Sequence, residues 1–132
     1  MKTIFVVDDN SINLLKADEA LSDYYDVITI SSASTMYELF DDITPDIILL
    51  DIMMPDINGF EALDWLKSDA RYKEIPVIFL TSKSDADTEA RGFEMGVADF
   101  IKKPFSEPVL LSRIKTALEA GTADSEKSGG KQ

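Results

Sequence analysis

Five short apolar runs, with longer amphipathic segments between them, constrain this fold more than any other feature. Ile4-Phe5-Val6-Val7, Val27-Ile28-Thr29-Ile30, Ile47-Ile48-Leu49-Leu50, Val77-Ile78-Phe79-Leu80 and Phe100-Ile101 have the length and the β-branched or aromatic content of strands. The first, third and fourth are continuously apolar, as strands covered on both faces must be; the second is mixed, as an edge strand can be. Between the runs, apolar residues recur at helical spacing: Leu14, Ala17 and Leu21; Leu63 and Leu66; Ala86, Ala90, Phe93 and Val97. Near the end Leu110, Ile114 and Ala117 repeat the pattern, widened by Leu111 and Leu118. Helix starts are expected at Asn10 or Ser11, Ser34, Asn58, Ser84 or Asp85, and Ser106 with Pro108 in the first turn, with Gly96 as a helix stop. Strand and helix alternating five times predicts an α/β fold, a parallel sheet with helices on both faces.

The 132 residues fit one domain, and 45% apolar content can fill its core. The chain has no Cys, which excludes disulfides and thiolate zinc sites. Its apolar runs are too short for a signal-peptide core or a membrane span, so a cytoplasmic protein without a membrane role is expected. A formal net charge of −12 repels phosphate backbones and argues against direct nucleic-acid binding. His is absent, so any phosphohistidine chemistry needs an imidazole on another protein. Residues 121–132, GTADSEKSGGKQ, contain no large apolar residue and read as a disordered tail or linker stub, leaving 1–120 as the domain.

Polar residues fall at the strand ends. Asp8 and Asp9 follow the first strand, Asp51 ends the third, Thr81 the fourth, and Lys103-Pro104 close the fifth. In an open parallel sheet the carboxyl ends of the strands share one edge, and ligands bind where the strand order reverses; with the doubly wound order 2-1-3-4-5 that point lies between strands one and three. Asp8, Asp9 and Asp51 then share a pocket. Three neighbouring carboxylates raise one another's pKa values or demand a cation, and oxygen ligands at a partly open site suit Mg²⁺. Lys103 supplies an ammonium able to pair with Asp51 or with a phosphoryl oxygen, and Thr81 a hydroxyl. An acidic nucleophile, a metal and two donors to phosphate oxygens are the parts required for phosphoryl transfer.

Four stretches, VVDDN (Val6 to Asn10), LLDIMMPDINGFE (Leu49 to Glu61), FLTSK (Phe79 to Lys83) and ADFIKKPF (Ala98 to Phe105), make the chain resemble the CheY-like receiver domain of bacterial two-component response regulators. The resemblance implies a flavodoxin-like (βα)5 fold with a five-stranded parallel sheet. It implies a signalling module that is no enzyme beyond its own phosphorylation and dephosphorylation. Asp51 resembles the phosphoacceptor, Asp9 a direct Mg²⁺ ligand, Asp8 an acid holding the metal largely through water, and the carbonyl of Met53 a further ligand. Thr81 and Lys103 resemble the switch hydroxyl and the phosphate-binding lysine, Phe100 the switch aromatic. The implied partners are a sensor histidine kinase or histidine phosphotransfer protein, and a downstream output protein or domain. Phosphorylation would change a surface of the fourth helix, fifth strand and fifth helix, with a phosphorylation-dependent homodimer as one form of output.

Each motif alone has a structural reading. Asp8-Asp9 could be a turn with a helix cap, Thr81-Ser82 a cap, Lys102-Lys103-Pro104 a strand end stopped by proline, and Phe100 a core aromatic. Asp51 resists such a reading, because it ends a buried strand and begins no helix. Alternation along the strand sends Lys102 and Lys103 to opposite faces, so only one can enter the pocket. Two other functions compete: a receiver-like docking module that is never phosphorylated, and an aspartate-nucleophile Mg²⁺ phosphatase of the haloacid dehalogenase type. The second would resemble D-x-D at the nucleophile, where this chain has Met53, and would need a cap domain for which there is no room. Phe100 stands where many family members have Tyr. Met53 and Lys83 border the path of an attacking water, and neither would orient it, so a long-lived phosphoryl group is expected. Phe105 to Arg113 resembles receivers that precede cyclic-dinucleotide output domains. With no second domain following, the expectation is a stand-alone receiver or the head of a longer regulator.

Overall fold

The computed structural model describes residues 1–82 and 85–130, with 121–130 described by backbone alone. The order of elements is β1 (Thr3–Val7), α1 (Ser11–Leu21), β2 (Asp26–Ile30), α2 (Ala33–Leu39), β3 (Ile47–Asp51), α3 (Gly59–Lys67), β4 (Val77–Thr81), α4 (Ala86–Glu94), β5 (Asp99–Lys102) and α5 (Glu107–Gly130). The five strands form one parallel sheet in the order β2-β1-β3-β4-β5. All five strands read from the apolar runs are present, and so is the expected order. The mixed strand β2 lies at an edge, and the continuously apolar β1, β3 and β4 are central.

The pleat sorts neighbouring residues to opposite layers. Phe5, Val7, Ile48, Leu50, Val77 and Phe79 pack with α2 and α3 on one face, where Met36, Phe40, Leu63 and Leu66 meet them. Ile4, Val6, Ile47, Leu49, Ile78 and Leu80 pack on the other with Ala17 and Leu21 of α1 and Leu110 and Ile114 of α5. Every strand residue just named is fully buried. At roughly 25 cal/mol per Å² of apolar surface, such residues dominate the stability of the fold.

Short polar side chains cap all five helices, four of them at an expected residue. Asn10 Oδ1 accepts the N–H groups of Ile12 (2.9 Å) and Asn13 (3.2 Å). Asn58 accepts from Glu61 N while Glu61 Oε1 accepts from Asn58 N, a reciprocal capping box. Asp85 caps α4 through Thr88 N at 2.8 Å, and Ser106 Oγ accepts Val109 N at the start of α5. Gly96 follows α4 with φ of +99°, the left-handed conformation that glycine adopts without strain.

Three expectations need correction or extension. The cap of α2 is Ser32, whose side chain accepts from Thr35 N, not Ser34. The earlier start turns Ala33 and Met36 into the core. The stripe Ala86, Ala90 and Phe93 of α4 faces solvent, and its buried residue is Gly92. A Cβ at position 92 would lie 2.6 Å from Phe100 Cζ, so the Phe100 ring draws this bare backbone against the sheet and rotates the apolar stripe outward. Finally, α5 runs through Gly130, into the stretch whose composition reads as a tail.

Candidate phosphoacceptor pocket

The loops at the carboxyl ends of β1, β3 and β5 enclose a pocket of about 410 Å³, lined by Asp8, Asp9, Asn10, Asn13, Asp51 and Lys103, with Met53, Ser82 and Pro104 at its margins. It lies at the reversal of strand order, where β1 neighbours β3. Asp8 and Asp51 are almost wholly buried, while Asp9 is exposed. One carboxylate oxygen from each of the three lies within 4.8 Å of the others. Apposition of β1 and β3, paired from Ile4↔Ile47 to Val7↔Leu50, brings residues far apart in the chain to this point.

Lys103 reaches into the cluster. Its Nζ donates to Asp51 Oδ1 at 3.0 Å and to Asp8 Oδ2 at 3.1 Å. It is carried there by β5, where Lys103 N donates to Thr81 O at 2.8 Å, and the peptide bond to Pro104 is cis. Lys102 is exposed, as strand alternation requires. Met53 N donates to Asp51 Oδ1 at 3.3 Å, Asn10 N to Asp8 Oδ1 at 2.9 Å, and Asn13 Nδ2 to Asp8 Oδ2 at 3.3 Å.

Even so, Asp51 is uneasy as an anion. Burial, and then the charge of Asp8, push its carboxyl up to about 6, against the pull of Lys103 and the Met53 N–H. Burial pulls the Lys103 ammonium down, but its hydrogen bonds and charge contacts with Asp51 and Asp8 outweigh this and leave it above its ordinary value. Three carboxylates against one ammonium leave two negative charges at the cluster. An all-oxygen donor set with that deficit, open to solvent on the Asp9 side, fits a divalent hard cation such as Mg²⁺.

Thr81 is buried at the end of β4, one residue before Ser82, which lines the pocket. Phe100 is half-buried, its ring 5.6 Å from that of Phe79 and 5.2 Å from that of Phe93. Met53 is 73% exposed at the pocket mouth. Lys83 lies outside the described residues. Nothing in the sequence alone pairs Asn13 or the Asn10 backbone with Asp8, or sets Gly59 against Asp51. A Cβ at Gly59 would lie 2.7 Å from Asp51 O, so this glycine lets α3 begin against the strand end that carries Asp51. The signals were present, since N-x-x-N follows the acidic pair and glycine follows the Asn58 cap, but neither implies a contact without the fold.

Residues 4–115 match the family described as the response regulator receiver domain. The polar-differentiation response regulator DivK of Brucella ovis is 34% identical over 118 residues, 89% of this chain and 96% of that protein. A probable cyclic di-GMP phosphodiesterase of Vibrio cholerae is 38% identical over 117 residues, 89% of this chain but only 26% of that protein. Among solved structures, a signal receiver domain of a histidine kinase from Syntrophus aciditrophicus superposes with a TM-score of 0.82 at 30% identity, covering 91% of this chain and 92% of that one. Relatives of the kind found in Vibrio carry such a domain as a fraction of a longer protein, whereas DivK is nearly coextensive with it. Among the described residues no helix is long and apolar enough to cross a membrane.

Proposed function

We propose, because the chain belongs to the response regulator receiver domain family, that it accepts a phosphoryl group on Asp51 and passes the event on as a change in protein contacts. The observation that carries this is Asp51 itself: buried at the end of β3, 3.0 Å from Lys103 Nζ, with Asp8 and Asp9 beside it. No structural role requires that arrangement, since burying Asp8 and Asp51 around one ammonium, with Asp9 at the solvent edge, costs stability.

In the reaction, an Asp51 carboxylate oxygen attacks the phosphorus of a phosphohistidine on a kinase or phosphotransfer protein. The new O–P bond forms as the N–P bond breaks, and its electron pair leaves with the partner's imidazole. Mg²⁺ held by Asp8, Asp9, Asp51 and the Met53 carbonyl would supply positive charge to the phosphoryl oxygens. Lys103 pairs with a phosphoryl oxygen once Asp51 no longer occupies its Nζ. Thr81 follows the phosphoryl group inward, and Phe100 turns into the space it leaves, altering the α4, β5 and α5 surface. The chain is then a cytoplasmic signalling module and no enzyme acting on other substrates. Residues 1–120 form the receiver and 121–132 a tail or linker. Likeness to the Vibrio phosphodiesterase supports output through a cyclic-dinucleotide domain or partner.

Met53 and Lys83 offer no amide or acid to orient a hydrolytic water, so the acyl phosphate is long-lived; Met53→Asn is expected to shorten its lifetime, and an unchanged rate would refute the assignment. The test of the function is intact-mass spectrometry after incubation with Mg²⁺ and acetyl phosphate. One phosphoryl increment, lost with EDTA and in Asp51→Asn, is expected. No increment, together with no binding of beryllofluoride, would leave a docking module.

A further inference from the structure

Away from the acidic pocket, on the face of the sheet covered by α2 and α3, a groove of about 550 Å³ is lined by Tyr37, Ile57, Glu61, Asp64, Trp65 and Asp69. Its floor is aromatic. Trp65 stacks on Tyr37 with centroids 3.9 Å apart and planes at 27°, and the stack continues to Phe40 and Tyr72. Phe40 and Tyr72 are buried, but Trp65 keeps 36% of its surface exposed. The walls are carboxylates, and neither Lys nor Arg lines the groove. Glu61 is partly engaged by the cap of α3, and Asp69 by Arg71; Asp64 has no ion-pair partner among the described residues.

We propose that this groove binds an arginine side chain presented by a partner protein. A guanidinium is flat enough to lie on an indole face and carries forked donors for carboxylates, whereas an ammonium does only the second well. The chain's own Arg71 displays the mode at the rim: it pairs bidentately with Asp69 at 2.8 and 3.1 Å while its guanidinium sits 4.8 Å from the centre of the Tyr72 ring. The net charge of −12 attracts such a segment from a distance. This surface lies outside the α4, β5 and α5 switch region and acts whether or not Asp51 is phosphorylated.

Trp65 is the single Trp of the chain, so its fluorescence reports on the groove alone. The experiment titrates the full chain with a blocked peptide of alternating Gly and Arg at near-physiological ionic strength, against the Lys counterpart. A saturable change is expected, at least about threefold tighter for Arg than for Lys. Asp64→Asn should weaken binding about threefold or more. Glu19→Gln, which removes the same charge from α1 on the opposite face, should leave it unchanged. Ser68 also lines the groove, and Ser68→Lys, which sets a competing ammonium there, should abolish binding. Equal affinity for both peptides, equal effects of Asp64→Asn and Glu19→Gln, or peptide binding by calorimetry without a Trp65 response would overturn the proposal. A Trp65 change on concentrating the protein alone would overturn it too, by assigning the groove to a second copy.

Discussion

Asp51→Asn should make the metal-free protein more stable at neutral pH, although it removes an ion-pair partner of Lys103. The folded protein holds the Asp51 carboxyl at about 6, against an ordinary value of 3.8. A raised folded-state value means that the folded protein binds this proton more tightly than the unfolded chain. Its contribution therefore favours folding below pH 3.8 and is lost as pH rises through 6. Relative to the protonated acid, ionisation costs the folded state about 3 kcal/mol at pH 7.5 and about 1 at pH 4.5, at 1.36 kcal/mol per unit. The residue is 2% exposed, so solvent screening takes little from this. Asn has the shape of the protonated acid and never ionises, and Lys103 keeps Asp8 at 3.1 Å. Urea unfolding in EDTA is expected to show Asp51→Asn more stable by about 3 kcal/mol at pH 7.5, with the gain falling to about 1 at pH 4.5. Saturating Mg²⁺ should shrink the gain by stabilising the wild type. A variant less stable than wild type at pH 7.5, or a gain independent of pH, would refute the reasoning.

Lys103→Ala leaves Asp8 and Asp51 buried without their ammonium, and denaturant unfolding in EDTA at neutral pH should show a loss of about 3 kcal/mol. Lys102→Ala, next to it but exposed, should stay within about 0.5 kcal/mol of wild type. Gly92→Ala places a Cβ 2.6 Å from Phe100 Cζ and should cost about 1 kcal/mol as crowding exceeds the gain in helix propensity; if Phe100→Leu does not recover this in a double-mutant cycle, the contact is not its cause. Ile12 and Leu15 of α1 are 62% and 57% exposed beside the pocket residues Asn10 and Asn13. The double change to Asp should slow phosphorylation by a phosphohistidine protein at least about tenfold while leaving acetyl phosphate unaffected, and equal slowing with both donors would disprove a docking role.

The fold was legible because its signals are local. Continuous apolar runs at β1, β3 and β4, the mixed run at β2 and the short polar residues at helix starts each report on a few neighbouring residues; the sheet order came from the doubly wound pattern and the family resemblance. Asp51 was legible for a related reason: a carboxylate ending a buried strand has no structural excuse, whereas Asp8 and Asp9 drew their meaning from its company. What escaped was decided by packing. Nothing in SSAS favours Ser32 over Ser34 as the cap until Ala33 and Met36 must face the core. The stripe on α4 misled because helical periodicity shows that an apolar face exists, not that it is buried.

The sequence by itself determined the architecture and the chemical inventory: a parallel sheet, acids at the ends of β1 and β3, a lysine before proline at the end of β5, and no histidine. Tertiary structure alone decided which groups touch. Asn13 on Asp8, Gly59 against Asp51, Gly92 beneath Phe100 and Trp65 on Tyr37 are contacts that the local pattern permits but does not specify. The reason is physical. Hydrophobic patterning is written in periods of two and 3.6 residues, whereas the rotation of a helix on a sheet is settled by steric fit between side chains that meet only when the core closes.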